Sequence, residues 1–201
     1  MSEPYVGRHY ATTGLLLLGE SAYSWEENGQ LQHPSKTHAA DLVDWIIGSF
    51  DNTDQRFMRL LSRAITGTYS PSKAQLQHAW DRVAFTNFVS GSVGVGARVR
   101  PSPAMWRVAE RTFLDETLPQ LQPRRIVVLG KHLWNNMPHT PTYVTDDVSG
   151  YALRDGTVAM CWATLHPAGG LSWSALAEIV QFACGHDLRL PVISAANGPD
   201  G

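Results

Sequence analysis

The sequence predicts an α/β fold: a three-layer α/β/α sandwich whose central sheet holds four parallel strands. Its first support is four short apolar runs, Gly14–Leu18, Val83–Val89, Arg125–Leu129 and Val158–Leu165. They alternate poorly between polar and apolar residues, as strands covered on both faces do. The second is the set of helical patterns lying between them, an order that builds helices onto both faces of a parallel sheet. The third is length, since 201 residues can bury a full core without metal or disulfide staples. One domain is expected over 1–201, with a small, polar, frayed tail at about 195–201.

The helices follow from spacing and from their end signals. Ala39–Phe50 sets Leu42, Val43, Ile46, Ile47 and Phe50 on one face, and Asn52–Ile65 does the same with Phe57, Leu60, Leu61, Ala64 and Ile65. Gly67 follows as a C-terminal cap. Gly91–Val99 is glycine-rich but lacks the Lys-Ser/Thr ending of a phosphate-binding loop, so a flexible surface loop is expected there. Ser102-Pro103 starts a helix, cap first and proline at the first helical position, running on to Leu118. Turn signals at Ser149-Gly150 and Asp155-Gly156 make Tyr143–Gly156 an irregular hairpin-like insertion, and a last helix spans about Ser172–Cys184.

Composition narrows the function. Sixteen Lys plus Arg against eighteen Asp plus Glu leave a net charge of −2, which argues against a chain coated by nucleic acid or held to anionic membrane by bulk charge. A local basic groove remains open. Cys161 and Cys184 are too few for a disulfide framework, lack zinc spacing, and read as buried thiols of a reducing compartment. The longest aliphatic run, Leu15–Leu18, falls far short of the ~20 residues of a membrane span. The opening MSEPYVGRHY shows no secretory pattern. A cytoplasmic, membrane-free, monomeric protein is expected. No cluster of histidines or carboxylates at ligand spacing calls for a metal.

In an open α/β sheet, ligands bind beyond the carboxyl ends of the strands. The first run ends in Gly19-Glu20-Ser21-Ala22-Tyr23, with Trp25 just beyond, and the second carries Asn87 within Ala84–Val89. The third ends at Gly130-Lys131 and the fourth in His166-Pro167-Ala168-Gly169-Gly170-Leu171. Each has a plainer role available. Asn87 can bond strand-edge backbone, His166 can be a structural hydrogen-bonder, and Glu20 can be a solvated or capping loop residue. Their shared placement at strand ends favours one common site.

LLLLGESAY, AFTNFV with the later RPSPAMW, PRRIVVLG and LHPAGG, in that order, resemble the uracil-DNA glycosylase superfamily over roughly residues 15 to 184. The resemblance implies a four-stranded parallel sheet between helices, with an acidic loop, an asparagine and a His-Pro loop at its edge. It also implies a monofunctional hydrolase that cleaves the N-glycosidic bond of a damaged or deaminated base, uracil foremost, without a cofactor. Such cleavage builds positive charge on the sugar and negative charge on the leaving base. His166 would then donate to the base carbonyl, and Glu20 would orient or deprotonate water and stabilise the sugar cation. The Asn87 amide can read a pyrimidine edge with both donor and acceptor. Tyr23 would wall the pocket beside position 5 of the base, and Trp25 would offer a stacking surface. The base would be flipped out of DNA, with Leu171 behind Gly169-Gly170 able to wedge into the vacated stack or else to anchor the next helix.

This chain departs from the family pattern in Ala168, where serine is common, in Ser90, where lysine is common, and in the late Arg100-Pro101. The iron–sulfur branch uses four cysteines; with two, no cluster is expected. Seven basic residues, Arg98, Arg100, Arg107, Arg111, Arg124, Arg125 and Lys131, stand against three acidic ones between positions 98 and 131. They read as a DNA-facing stretch or as a solvated helix face. Trp45, Trp80 and Trp106 fall at core-like helical positions. Two other functions compete. One is a non-enzymatic nucleic-acid or nucleotide-binding module, made real by Ala168 and Ser90. The other is a serine hydrolase in which Gly19-Glu20-Ser21 begins a nucleophile elbow on Ser21.

Overall fold

The computed structural model describes residues 2–53, 55–96, 99–138 and 142–185. In chain order its elements begin with β1 (Tyr5–Val6), α1 (Tyr10–Thr13), β2 (Leu15–Glu27), β3 (Gln30–Gln32), α2 (His38–Ser49), α3 (Arg56–Thr66) and α4 (Lys73–Trp80). Then come β4 (Val83–Val95), α5 (Pro103–Thr112), a π-helical turn over Phe113–Thr117, α6 (Leu118–Leu121), β5 (Arg125–Leu129) and α7 (Lys131–Asn136). The chain continues through β6 (Thr142–Thr145), β7 (Val148–Ala152), β8 (Val158–Thr164), a 3₁₀ turn at Pro167–Gly169, and α8 (Trp173–Gly185).

The sheet runs β1-β4-β2-β5-β8-β7-β6, with β3 added to the far end of β2. Its middle is the expected parallel set, β4-β2-β5-β8, in the register Leu18↔Thr86, Leu18↔Val128 and Val128↔Ala163. The sheet is larger than four strands because antiparallel pieces close both edges: β1 on β4, and the β6–β7 hairpin on β8. Such short, mixed-polarity segments carry little periodic signal, which is why the sequence hid them.

Leu15 to Leu18 are all essentially inaccessible, because both faces of the sheet are covered. Alternate residues divide between two apolar cores. Leu15, Leu17, Phe85, Val127 and Trp162 pack with residues of α2, α3, α4 and α8. Leu16, Leu18, Phe88, Val128 and Cys161 pack with Ala109, Phe113, Leu118 and Leu133. These are the three layers. Cys161 is a buried free thiol, and burial pushes its pKa up.

The end signals behave as local chemistry dictates. Ser102 Oγ accepts the Met105 N–H ahead of Pro103, and Gly67 closes α3 with φ 66°, its N–H donating to the Arg63 carbonyl. The helix expected from Asn52 starts instead at Arg56, because Phe50–Asn52 forms a 3₁₀ turn and Thr53 is extended. Ser149-Gly150 is not a turn but part of β7; the hairpin turns at Asp146-Asp147. The larger correction concerns Gly91–Val99. Most of it is not a surface loop but the continuation of β4, which keeps pairing with β2 past two bulges, as Ala22↔Ser92 and Ser24↔Val95. Backbone pairing needs no apolar side chains, so a glycine-rich strand is invisible to a hydrophobicity pattern. Trp80 is fully buried as expected, whereas Trp45 is 39% exposed and lies outside the core. The tail at 195–201 and Arg98 lie outside the described residues.

Candidate active site

The site is built where β2 parts from β5. Their last pair is Leu18↔Val128, and beyond it β2 leaves β5 and continues beside β4, with Gly19 opposite Asn87. Gly19 has no side chain, and a Cβ built there would fall well inside the contact distance of Asn87 Oδ1. The glycine therefore lets the partly buried amide lie across the neighbouring strand. Phe85 lies on this same face, and the Phe57 ring at the start of α3 sits 6.3 Å from it and 5.6 Å from the ring of His166. Asn87, Phe57 and His166 thus gather on one face of the strand ends.

His166 follows β8 and is fixed by two glycines. The tight turn behind it closes with Gly169 N–H donating to the His166 carbonyl at 2.7 Å. On its other side the buried Gly130, at φ 140°, brings the end of β5 against the ring; a Cβ there would lie 3.5 Å from His166 Cδ2. Partial burial holds the imidazole below its ordinary pKa; the Glu20 charge acts against that and the Arg100 charge with it. His166 is therefore neutral near pH 7 and can donate one N–H without carrying charge.

Glu20 points to the opposite face. It is only 8% exposed, and both carboxylate oxygens are engaged. Oε1 accepts from Arg100 Nη1 at 2.8 Å, and Oε2 pairs with His132 Nδ1 at 2.7 Å. His132 stands one residue into α7, straight after the Gly130 turn, with its ring 5.8 Å from that of Trp106. The carboxylate expected to meet water is held by an arginine and a second imidazole.

The other expected residues are spread out. Tyr23 is partly buried further along β2 and makes no hydrogen bond or ring contact among the described residues. Trp25 is 42% exposed, roughly 16 Å of strand beyond Glu20, and stacks on His38 at 6.1 Å. Gly169 and Gly170 are exposed, while Leu171 packs partly buried against the core under α3 and α8, the anchoring alternative. Four described cations of the basic stretch between positions 98 and 131 have protein partners. Arg100 is paired with Glu20 and Lys131 with Asp147, while Arg124 and Arg125 bond backbone carbonyls at the far end of the strands. Ser21 is no nucleophile elbow, because β2 continues through it where an elbow would turn into a helix; its buried Oγ has no partner among the described residues.

Two site residues escaped the sequence reading. His132 lies two positions past the third strand end, at the place in the fold that singled out Glu20 and His166, but in a six-residue helix with little periodic signal. Phe57 fits the apolar stripe of its helix and carries no mark of a second role. Among the described residues no three His, Cys, Asp or Glu side chains gather to hold a metal ion, and no helix is long and apolar enough to cross a membrane.

No curated protein matches this chain. Comparison with protein-family models matches residues 6–182 to the Uracil DNA glycosylase superfamily. A match over that much of the chain, on a sheet of this topology, establishes the assignment: the chain belongs to the uracil DNA glycosylase superfamily.

Proposed function

We propose that this protein hydrolyses the N-glycosidic bond of a damaged or deaminated base flipped out of DNA, with uracil as the foremost substrate. The observation that carries the proposal is the gathering of an imidazole, an amide and an aromatic ring on one face of the strand ends, with the buried Glu20 carboxylate at the same ends. His166 donates to the base carbonyl as the glycosidic electron pair moves onto the base. Asn87 reads the base edge, and Phe57 offers its ring as a stacking surface. Glu20 places a negative charge at the strand end where the sugar becomes cationic.

The test uses labelled oligonucleotides carrying uracil, hypoxanthine or ethenocytosine, single- and double-stranded, followed by alkaline cleavage of abasic sites. Strand scission is expected at uracil. Asn87→Asp replaces an amide donor with an acceptor and is expected to change the order of preference among the three bases. No scission on any substrate by folded protein would sink the hydrolase. That result favours a second reading, a nucleic-acid-binding module, which the occupation of both Glu20 oxygens by Arg100 and His132 supports. Such a module binds the same oligonucleotides and leaves them intact.

A further inference from the structure

A carboxylate with both oxygens engaged is poorly placed to take a proton from water. The imidazole it holds is better placed. When a carboxylate bonds one ring nitrogen of histidine, it fixes the tautomer with that N–H toward itself and leaves the other nitrogen with a basic lone pair. His132 has this arrangement: Nδ1 lies 2.7 Å from Glu20 Oε2, and Nε2 takes no protein hydrogen bond among the described residues. The side chain is 45% exposed, so water reaches the ring. Position agrees with chemistry. Gly130 abuts the His166 ring on one side and starts α7 on the other, so the two imidazoles flank one turn at the carboxyl end of β5.

We infer that His132 is a catalytic residue of the glycosylase reaction proposed above: Nε2 takes the proton of the attacking water, and Glu20 is the positioning residue that holds the ring. The inference rests on that reading of the site. The bond between the sugar anomeric carbon and the base nitrogen breaks, its electron pair leaving with the base toward His166. The water oxygen bonds to the anomeric carbon, and one water proton passes to His132 Nε2. The resulting imidazolium keeps its Nδ1–H on Glu20, whose negative charge stabilises it. The charged groups around His132 are Glu20 from β2, which it bonds, and Arg100 from the segment before α5, which bonds the same carboxylate; the adjacent Lys131 is paired with Asp147.

Two variants separate holding from proton transfer. His132→Asn keeps an amide nitrogen where Nδ1 stood and so can still hold Glu20, but has nothing in the place of Nε2. His132→Gln places a non-basic amide near the position of Nε2 and gives up the Nδ1 bond. Single-turnover uracil release from a uracil-containing oligonucleotide is measured against pH for the wild type and both variants, with thermal unfolding and oligonucleotide binding alongside. Both variants are expected to lose about 10²–10⁴ in rate, while folding and binding persist. A His132→Asn protein within severalfold of wild type overturns the inference and leaves the glycosylase intact. A wild type that releases no base overturns both readings at once, so the two failures are told apart.

Discussion

At the amino ends of the parallel strands Arg124 donates to the carbonyls of Ala11 and Thr12, Arg125 donates to that of Thr13, and Arg8 pairs with Asp81. At the carboxyl ends Arg100 pairs with Glu20, and His132 shares the same carboxylate. Both ends carry paired cations, yet the partners differ in kind. One end uses cations to satisfy the last carbonyls of α1 and Asp81, a carboxylate as buried as Glu20, which is structural work. The other sets its cations on the buried carboxylate nearest the proposed chemistry. Charge counted along the chain merged these two populations into one basic stretch. Only their partners separate them.

The sharpest way to break the contrast is His166→Ala. Loss of one preorganised donor to a developing anion costs ~10²–10³ in rate, so single-turnover uracil release should fall by that much while oligonucleotide affinity holds. Equal losses of rate and affinity would move His166 from chemistry to binding. A matched pair of arginine variants comes next. Arg124→Ala gives up two exposed charge-assisted bonds to carbonyls, and about 1 kcal/mol of stability should appear as a Tm lower by several degrees with unchanged activity. Arg100→Ala should reduce the slope of log affinity against log salt by about one, as for a lost phosphate contact, a slope that Arg124→Ala leaves alone. Identical salt behaviour in the two variants would erase the distinction between the ends.

The smallest effect concerns acid stability. The hydrogen bond from Arg8 holds the Asp81 carboxyl below its ordinary pKa. Asp81 therefore contributes stability in full above the ordinary carboxylate range, near pH 4, and loses it as pH falls through its own lower value. The Tm of Asp81→Asn should lie slightly under that of wild type at neutral pH and converge with it in acid. A gap that widens in acid would mean that the pair does not carry the effect.

Much of the fold was legible because burial on both faces leaves a direct trace, an apolar run without alternation. Leu15–Leu18 and Arg125–Leu129 bear that trace, and both are strands. The extension of β4 through Gly91–Val95 bears none, because its pairing is made by backbone and by the Ser24–Ser92 hydroxyl contact, without an apolar run. The site divides the same way. Asn87 stood out as a polar residue inside an apolar run, and His166 through its place after a strand. The Glu20–His132 contact joins residues 112 positions apart, and nothing near either residue announces the other. The Gly19–Asn87 approach was equally hidden, since it depends on the strand pairing that sets them opposite each other.

The parting of β2 from β5 after Leu18 has a consequence for redesign. Asn87, Phe57 and His166 stand on one side of that opening, while Glu20, Arg100 and His132 stand on the other. On the proposed reading, selectivity and water activation are separable modules that share a seam and no side chain. A library confined to positions 57 and 87 would explore new bases against a constant hydrolytic half. One confined to positions 100 and 132 would tune turnover for whichever base had been chosen.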